Sequence, residues 1–202
     1  MGILEFVFSN NEYLQDLITR STYHSNAIEG STLTYAETYA ILYNDNSFKI
    51  EGKEPREIYE AINHKKALEL VFSNLKNDNG FDERFIKNLN ETINKDIKDT
   101  EGYRSVQVFI QGSEHIPPEP EKIPNLMMYF VYNYNHDEQD IFTKIARYHI
   151  EFEKIHPFVK KQLEKITTKI PHKVQICLLI LFLAIIIIDF MMSITRYSIA
   201  LY

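Results

Sequence analysis

Apolar residues recur at the spacing of an amphipathic helix through most of this chain, and this periodicity is the feature that most constrains its fold. One stripe covers residues 58–75 and follows Pro55, which suits the first turn of a helix. Another covers residues 85–97 and follows Asp82, a good helix cap. Before the C-terminal region, the period of two that is typical of a strand is convincing only over residues 105–111. We therefore predict a mainly α-helical bundle with a small β-hairpin.

Capping residues mark further helices at both ends of this pattern. Asn10 or Asn11 can cap a first helix that runs to about residue 18, and Gly30 then permits a break. Thr34 and Glu37 have the spacing of a capping box, which predicts a second helix ending near residue 42.

The helix that is most informative about function is predicted at residues 141–156. Pro124 opens the helix before it, which runs to about residue 134, and an asparagine-rich loop follows. Asp140 is the expected cap, and Pro157 ends the helix because a residue before proline is pushed out of helical geometry. The core-facing stripe of this helix consists of Phe142, Ile145, Ala146, His149, Phe152 and His156.

Composition is that of an ordinary globular protein, with 202 residues, 45% hydrophobic and 25% charged. This length suits one domain, so we predict a single domain over residues 1–202. The net charge of −6 argues against general nucleic-acid binding. The single cysteine, Cys177, allows no disulfide within the chain, and residues 1–8 lack the basic start of a signal peptide. We expect a cytoplasmic protein; the sequence does not indicate its oligomeric state.

An uncharged run at residues 174–188 leaves two interpretations open. Its length of fifteen residues before Asp189 is short of the about 20 that a membrane-spanning helix needs. A buried C-terminal helix over about residues 172–190 is the favoured interpretation, and a membrane anchor is the alternative. The histidines His115, His136 and His172 are scattered without the spacing of metal ligands, so no structural metal site is predicted.

His156 is a candidate for proton transfer, since histidine exchanges protons near neutral pH. From periodicity alone, a histidine that merely ends the helix is the simpler interpretation. The surrounding residues add a resemblance. Residues 149–158 read H-I-E-F-E-K-I-H-P-F. They resemble the start of the Fic family signature, H-x-x-F-x-x-I-H-P-F-x-[D/E]-G-N-G-R-x-x-R.

Three upstream segments resemble the same family in the same order. Residues 25–30, S-N-A-I-E-G, resemble its inhibitory motif, [S/T]-x-x-x-E-[G/N]. Residues 57–67 resemble the segment that follows this motif, and residues 102–104 resemble the entry to the family's flap. The resemblance implies an inhibitory segment at about 10–45, a flap at about 103–120, and a motif helix and loop at about 140–170.

The resemblance implies a Fic-type helical bundle that moves AMP from ATP, with Mg²⁺, to a hydroxyl of a target protein. His156 matches the general base, while His149, Phe152, Pro157 and Phe158 match motif positions, of which we interpret His149 and Phe152 as core.

Two further sites are implied by the same resemblance. Val106, Gln107, Val108 and Phe109 match the flap, which holds the target protein as an added strand. In the inhibitory segment, the resemblance assigns a role to Ser25, Glu29 and Gly30. The glutamate normally pairs with the second arginine of the signature and excludes the γ-phosphate.

After Phe158 the sequence departs from the signature. Lys160 stands where the metal-binding acid belongs, Lys161 and Leu163 replace two glycines, and Glu164 and Thr167 replace two arginines. The glycines of such a loop let backbone N–H groups turn toward phosphate. Flexible lysines do not reproduce the bidentate geometry of arginine. The remaining candidates for contacts with phosphate are Lys160, Lys161 and Lys165.

The apolar residues 185–190 resemble the stretch that follows the signature, so the foreign segment lies between two matching ones. A shifted reading frame over about residues 159–171 and drift after loss of function both explain this arrangement. The predicted function is protein adenylylation by a Fic-like enzyme. The alternatives are an inactive Fic-fold binding module and a membrane-anchored protein.

Overall fold

A computed structural model of the chain describes residues 7–43, 50–77, 79–97, 102–110, 113–158 and 169–170; the side chains of residues 141, 145, 169 and 170 are outside this description. The chain divides into two compact units, and the division falls between Asn79 and Gly80. The prediction of one domain over residues 1–202 stays a prediction.

The first unit contains helices α1 (Asn11–Ile28), α2 (Tyr35–Tyr43) and α3 (Pro55–Lys76), each of which packs against the other two. Their caps follow the sequence. The Asn10 side chain accepts a hydrogen bond from the backbone N–H of Tyr13 at 3.0 Å. Thr34 and Glu37 form the predicted capping box, because the Glu37 carboxylate accepts from the Thr34 N–H at 2.7 Å and the Thr34 hydroxyl accepts from the Glu37 N–H at 3.2 Å.

Helix α1 continues ten residues beyond the predicted end at Ile18. No proline or glycine interrupts the chain before Gly30, and a polar stripe is buried where we had expected a helix end. The hydroxyl of buried Thr19 donates to the Gln15 carbonyl at 2.7 Å, so this stripe is compatible with a buried helix face.

The second unit contains helices α4 (Glu83–Asn94), α5 (Ile123–His136) and α6 (Ile141–Ile155), with a short 3₁₀ helix at Pro120–Lys122. Helix α5 packs against α6, and α4 packs against α5. The contact between α5 and α6 is aromatic: the Phe130 ring centroid lies 5.5 Å from that of Tyr148 and 5.7 Å from that of Phe152. All three side chains are at most 1% exposed, so they form the centre of this core.

The mainly helical fold is confirmed, but the β structure differs from the predicted hairpin. Strand β1 covers only Phe109–Ile110 and pairs in parallel with β2, Lys169–Ile170. A hairpin would need antiparallel pairing with the segment that follows, which in the described residues forms a proline-rich loop. The prolines at positions 117, 118 and 120 donate no backbone N–H to a ladder, so this described loop is a poor partner for strand β1.

Other predicted segments lie outside the described residues. These are the apolar residues 174–188, whether as a core helix or a membrane anchor, and most of the loop after Phe158. In the ranges given above, we find no helix that is long and apolar enough to cross a membrane.

Candidate active site

His156 lies where helix α6 ends. The helix begins at Asp140, whose carboxylate accepts from the backbone N–H groups of Phe142 and Thr143 at 3.1 Å each. It ends because Pro157 disfavours helical geometry at the residue before it. His156 takes the left-handed conformation instead, with φ 48° and ψ 61°, while its N–H still donates to the Phe152 carbonyl at 2.9 Å.

The His-Pro-Phe turn is buried against aromatic rings. His156 is 6% exposed and Phe158 is 8% exposed. The ring of Phe158 lies 5.5 Å from Tyr103 and 6.4 Å from Phe152, measured between centroids. The turn therefore has a fixed position relative to the α6 core on one side and the flap entry on the other.

Arg104 connects this turn to the flap region. Its Nε donates to the His156 carbonyl at 2.8 Å and its backbone N–H donates to the Pro157 carbonyl at 2.9 Å. The two terminal nitrogens donate to the carbonyls of Val106, at 2.7 Å, and of Pro118. The side chain is buried, and burial lowers the pKa of Arg104 to about 10, so it stays charged at neutral pH.

The flap region is hydrogen-bonded to the same end of helix α6. Val108 and Ile110 are buried, whereas Phe109 between them is 42% exposed, so the predicted alternation holds over these residues. The side chain of Gln107 donates to the Pro117 carbonyl at 2.8 Å, and His115 Nε2 donates to the Lys154 carbonyl at 2.9 Å. The loop that follows the strand is thus fastened to α6 near His156.

A second connection fixes the flap entry to helix α4. The hydroxyl of Tyr103 donates to the Glu83 carboxylate at 2.6 Å, and Lys87 Nζ lies 4.3 Å from the centre of the Tyr103 ring. Burial raises the pKa of Tyr103, and the hydrogen bond to Glu83 raises it further. Tyr103 therefore remains a neutral hydrogen-bond donor at physiological pH.

The segment that resembles the inhibitory motif forms the C-terminus of α1 in the first unit. Ser25 is fully buried and Glu29 is the capping residue of the helix. Gly30 has φ 96°, its N–H donates to the Ala27 carbonyl at 3.1 Å, and the Ser31 N–H donates to the Asn26 carbonyl at 2.9 Å. This is a Schellman motif, in which glycine supplies the left-handed conformation that ends the helix. Helix termination alone thus accounts for a glycine after Glu29.

The other predicted site residues divide into placed and unplaced ones. Phe152 lies in the core, while His149 is half-buried and burial lowers its pKa. The proposed phosphate contacts Lys160, Lys161 and Lys165 lie outside the described residues. Their relation to His156 stays a prediction.

The described residues offer no fit for the expected Mg²⁺. The described part of the chain contains no cluster of three His, Cys, Asp or Glu side chains that could hold a metal ion. Arg104 beside the His-Pro-Phe turn is a cation, and Lys160 stands where the family places its metal-binding acid. The part of the chain that the structure describes therefore provides no ligand set for Mg²⁺.

An open cavity of about 430 Å³ lies on the second unit, away from the chemistry suggested by the motif. It is lined by α4 and α5, including Glu83, Met128 and Tyr132, and His156 is not among its lining residues. The cavity therefore does not coincide with the motif that defines the candidate site.

Sequence reasoning missed the central role of Arg104. Gly102-Tyr103-Arg104 was interpreted only as the entry to the flap. A buried arginine usually has a carboxylate partner, but the acceptors here are backbone carbonyls, which no sequence pattern reports. Four hydrogen bonds from one residue make Arg104 a structural centre of the site.

Together, the helical bundle, the left-handed histidine at the end of α6 and the short strand beside it define a helical domain of the Fic fold. Two solved structures share this fold. A Fic family protein from Desulfovibrio desulfuricans G20 superposes with a TM-score of 0.69 at 22% identity, covering 93% of this chain and 53% of that one. A Fic domain containing signaling protein from Bacteroides thetaiotaomicron gives a TM-score of 0.67 at 22% identity, covering 91% and 72%.

Sequence comparison finds similarity to one family. Residues 80–160 match the Fic/DOC family. The protein adenylyltransferase Fic of Aedes aegypti is 30% identical over 142 residues, which are 67% of this chain and 28% of the relative. The protein of the same name from Nematostella vectensis is 35% identical over 111 residues, 54% of this chain and 25% of the relative. The chain thus spans less than a third of the length of these relatives. Residues 80–160 are therefore similar to the Fic domain of the Fic/DOC family.

Proposed function

We propose that this chain is a protein adenylyltransferase of the Fic kind, which moves AMP from ATP to a hydroxyl group of a target protein. One observation carries the proposal: His156 stands at the end of α6 in a buried turn that Arg104 links to the flap residue Val106. The relatives named protein adenylyltransferase support the reaction class.

His156 acts as the general base in this proposal. Its ring takes the proton from the target hydroxyl, and the hydroxyl oxygen forms a bond to the α-phosphorus of ATP. The bond between the α-phosphorus and the bridging oxygen breaks, so pyrophosphate leaves and AMP remains on the target. ATP is the substrate here, and the resemblance supplies the role of His156.

The target protein is proposed to lie along the flap, residues 106–109. Val108 is anchored inside the domain while Phe109 faces outward, which suits a strand that a second chain can extend. The exposed Phe109 side chain would then contact the target directly.

The sequence after Phe158 favours a second candidate function, a binding module that retains the flap but transfers no AMP. The replacement of the glycine- and arginine-containing loop by Lys160–Thr167 removes the groups expected to hold the triphosphate. In the sequence, Thr167 also stands where the family has the arginine with which its inhibitory glutamate pairs.

Label transfer from ATP labelled at the α-phosphate separates the two candidates. The purified chain is incubated with candidate target proteins, and the variant His156→Ala is compared with His136→Ala, an exposed histidine at the end of α5. We expect His156→Ala to lower transfer by about 100- to 10,000-fold, the usual contribution of a general base, and His136→Ala to leave it unchanged.

The remaining outcomes are equally clear. Transfer that survives His156→Ala contradicts the assignment of the base. A wild-type chain that transfers no label, yet captures a target in a manner that Phe109→Asp abolishes, is the result expected of the binding module.

A further inference from the structure

The left-handed backbone of His156 requires support from its surroundings. Outside glycine, positive φ is uncommon, and it persists only where neighbouring structure fixes it. Among the described residues, Asp96 and His156 are the non-glycine residues with positive φ. At His156 the strained residue is also the one whose side chain is proposed to do chemistry.

Arg104 supplies that support from a distant part of the chain. It is 52 positions away from His156 and holds two consecutive carbonyls of the turn, one through its side chain and one through its backbone. Fixing the His156 and Pro157 carbonyls fixes the peptide planes on either side of the Pro157 α-carbon. Because the His156 amide is held by the Phe152 carbonyl at the same time, little freedom remains in the main chain that carries the imidazole.

The same guanidinium also holds the flap. Its remaining donors reach the carbonyls of Val106 and Pro118, which stand at the two ends of the flap loop. A planar group with donors in fixed directions can join three carbonyls rigidly, and a lysine ammonium cannot reproduce that geometry. One buried cation therefore holds both the turn that carries the proposed base and the flap that is proposed to bind the target.

We propose that Arg104 is a positioning residue for AMP transfer, which fixes the direction of the His156 ring and its alignment with the flap without contacting the substrate. The proposal rests on the proposed function. Misplacing a base by about 1 Å is sufficient to lower a rate by about 100-fold. Loss of the guanidinium should therefore act on turnover more than on substrate binding.

The test compares Arg104→Lys with Arg84→Lys, the same change at an arginine whose side chain is 93% exposed. In Arg104→Lys we expect kcat for AMP transfer to fall by about 10- to 100-fold, while KM for ATP changes less than about threefold. The ring carbon and proton resonances of His156, followed in histidine-labelled protein, should shift, and those of exposed His136 should stay in place. Arg84→Lys should change neither.

A folded Arg104→Lys variant with unchanged kcat and an unmoved His156 ring resonance would overturn the proposal. If the wild-type chain transfers no AMP, the proposed function fails, and the His156 resonance alone decides whether Arg104 positions the ring.

If Arg104→Lys does not fold, arginine-labelled wild-type protein provides the measurement. We expect an Arg104 Nε–H that exchanges slowly with water and shows nuclear Overhauser contacts to the His156–Pro157 segment. A rapidly exchanging Nε–H would contradict the hydrogen bond from Arg104 Nε to the His156 carbonyl, on which the proposal depends.

Discussion

His64 in the first unit and His156 in the second are both buried, at 1% and 6% exposure, but they are held in different ways. His64 lies in the middle of α3 with an ordinary helical backbone. Its Nδ1 shares a hydrogen bond of 3.0 Å with the Thr22 hydroxyl, and burial lowers its pKa to about 4. His156 lies past the end of its helix, in a left-handed conformation, and its carbonyl is held by Arg104.

The difference teaches that burial alone does not identify a candidate for proton transfer. His64 is a neutral core residue whose ring fills space between α1 and α3. At His156, in contrast, the main chain is held in a left-handed conformation and its carbonyl is fixed by Arg104. Backbone conformation and the partners of the neighbouring carbonyls therefore separate the two cases better than exposure does.

The largest expected effect comes from removing the packing beneath His156. Phe152 is 1% exposed and lies between Phe130 and Phe158. We predict that Phe152→Ala lowers the free energy of unfolding by about 3–5 kcal/mol, since it deletes a buried aromatic ring and leaves a cavity. Urea denaturation followed by circular dichroism measures this change.

The matched control is Phe142→Ala on the same helix, where the ring is 68% exposed. This variant should cost less than about 0.5 kcal/mol. Equal losses of unfolding free energy at the two positions would show that the residues beneath His156 do not form a packed core. The contrast drawn between His156 and His64 would then have no basis.

The second prediction concerns pH and His64. Its folded pKa of about 4 lies below the unfolded value of about 6.5, so the unfolded state binds the proton more readily. The stability that His64 contributes is complete above pH 6.5 and is lost as the pH falls from 6.5 toward 4, by about 3 kcal/mol in total. Unfolding free energies measured at several pH values between 7.5 and 4.5 test this.

His64→Gln should flatten that pH dependence relative to the wild type, because the titrating group is removed while carboxylates are unchanged. The control His24→Gln, at an exposed position of α1, should keep the wild-type slope. A wild-type slope that survives His64→Gln would show that the ring is not buried as a neutral group.

The smallest expected effect lies at the opposite end of the helix that carries His156. Asp140→Ala removes the side chain that accepts from two backbone N–H groups of the first turn, and we predict a loss of about 1 kcal/mol. Asp140→Asn keeps a capping oxygen and should lose much less. Thermal denaturation of both variants distinguishes them, and equal melting temperatures would contradict the capping role.

Much of the helical framework could be predicted from local signals. Asn10, Asp82 and Asp140 cap the helices at which the sequence placed them, since an N-cap depends on residues only a few positions apart. Strand extent was predicted less well. Burial alternates over Val108, Phe109 and Ile110, but among the described residues of this segment only Phe109–Ile110 pairs with a second strand, because strand pairing depends on distant segments.

The site was predictable in part for the same reason. His156, Pro157 and Phe158 form a local motif, so the sequence could point to them. Arg104 acts on carbonyls 52 and 53 positions away, and its partners have no side-chain signature. Such a contact becomes visible only when the fold brings the two segments together.

The use of main-chain oxygens by Arg104 has a consequence for how this region tolerates mutation. Every residue type offers a backbone carbonyl, so exchanges at Val106 or Pro118 leave an acceptor in place as long as the loop keeps its path. The side-chain hydrogen bonds that join the turn to the flap therefore depend on the identity of one residue, Arg104. A mutational scan should show that substitutions at position 104 are poorly tolerated, whereas substitutions at its contact positions on the flap loop are tolerated. A search for pairs of residues that change together would overlook such a position.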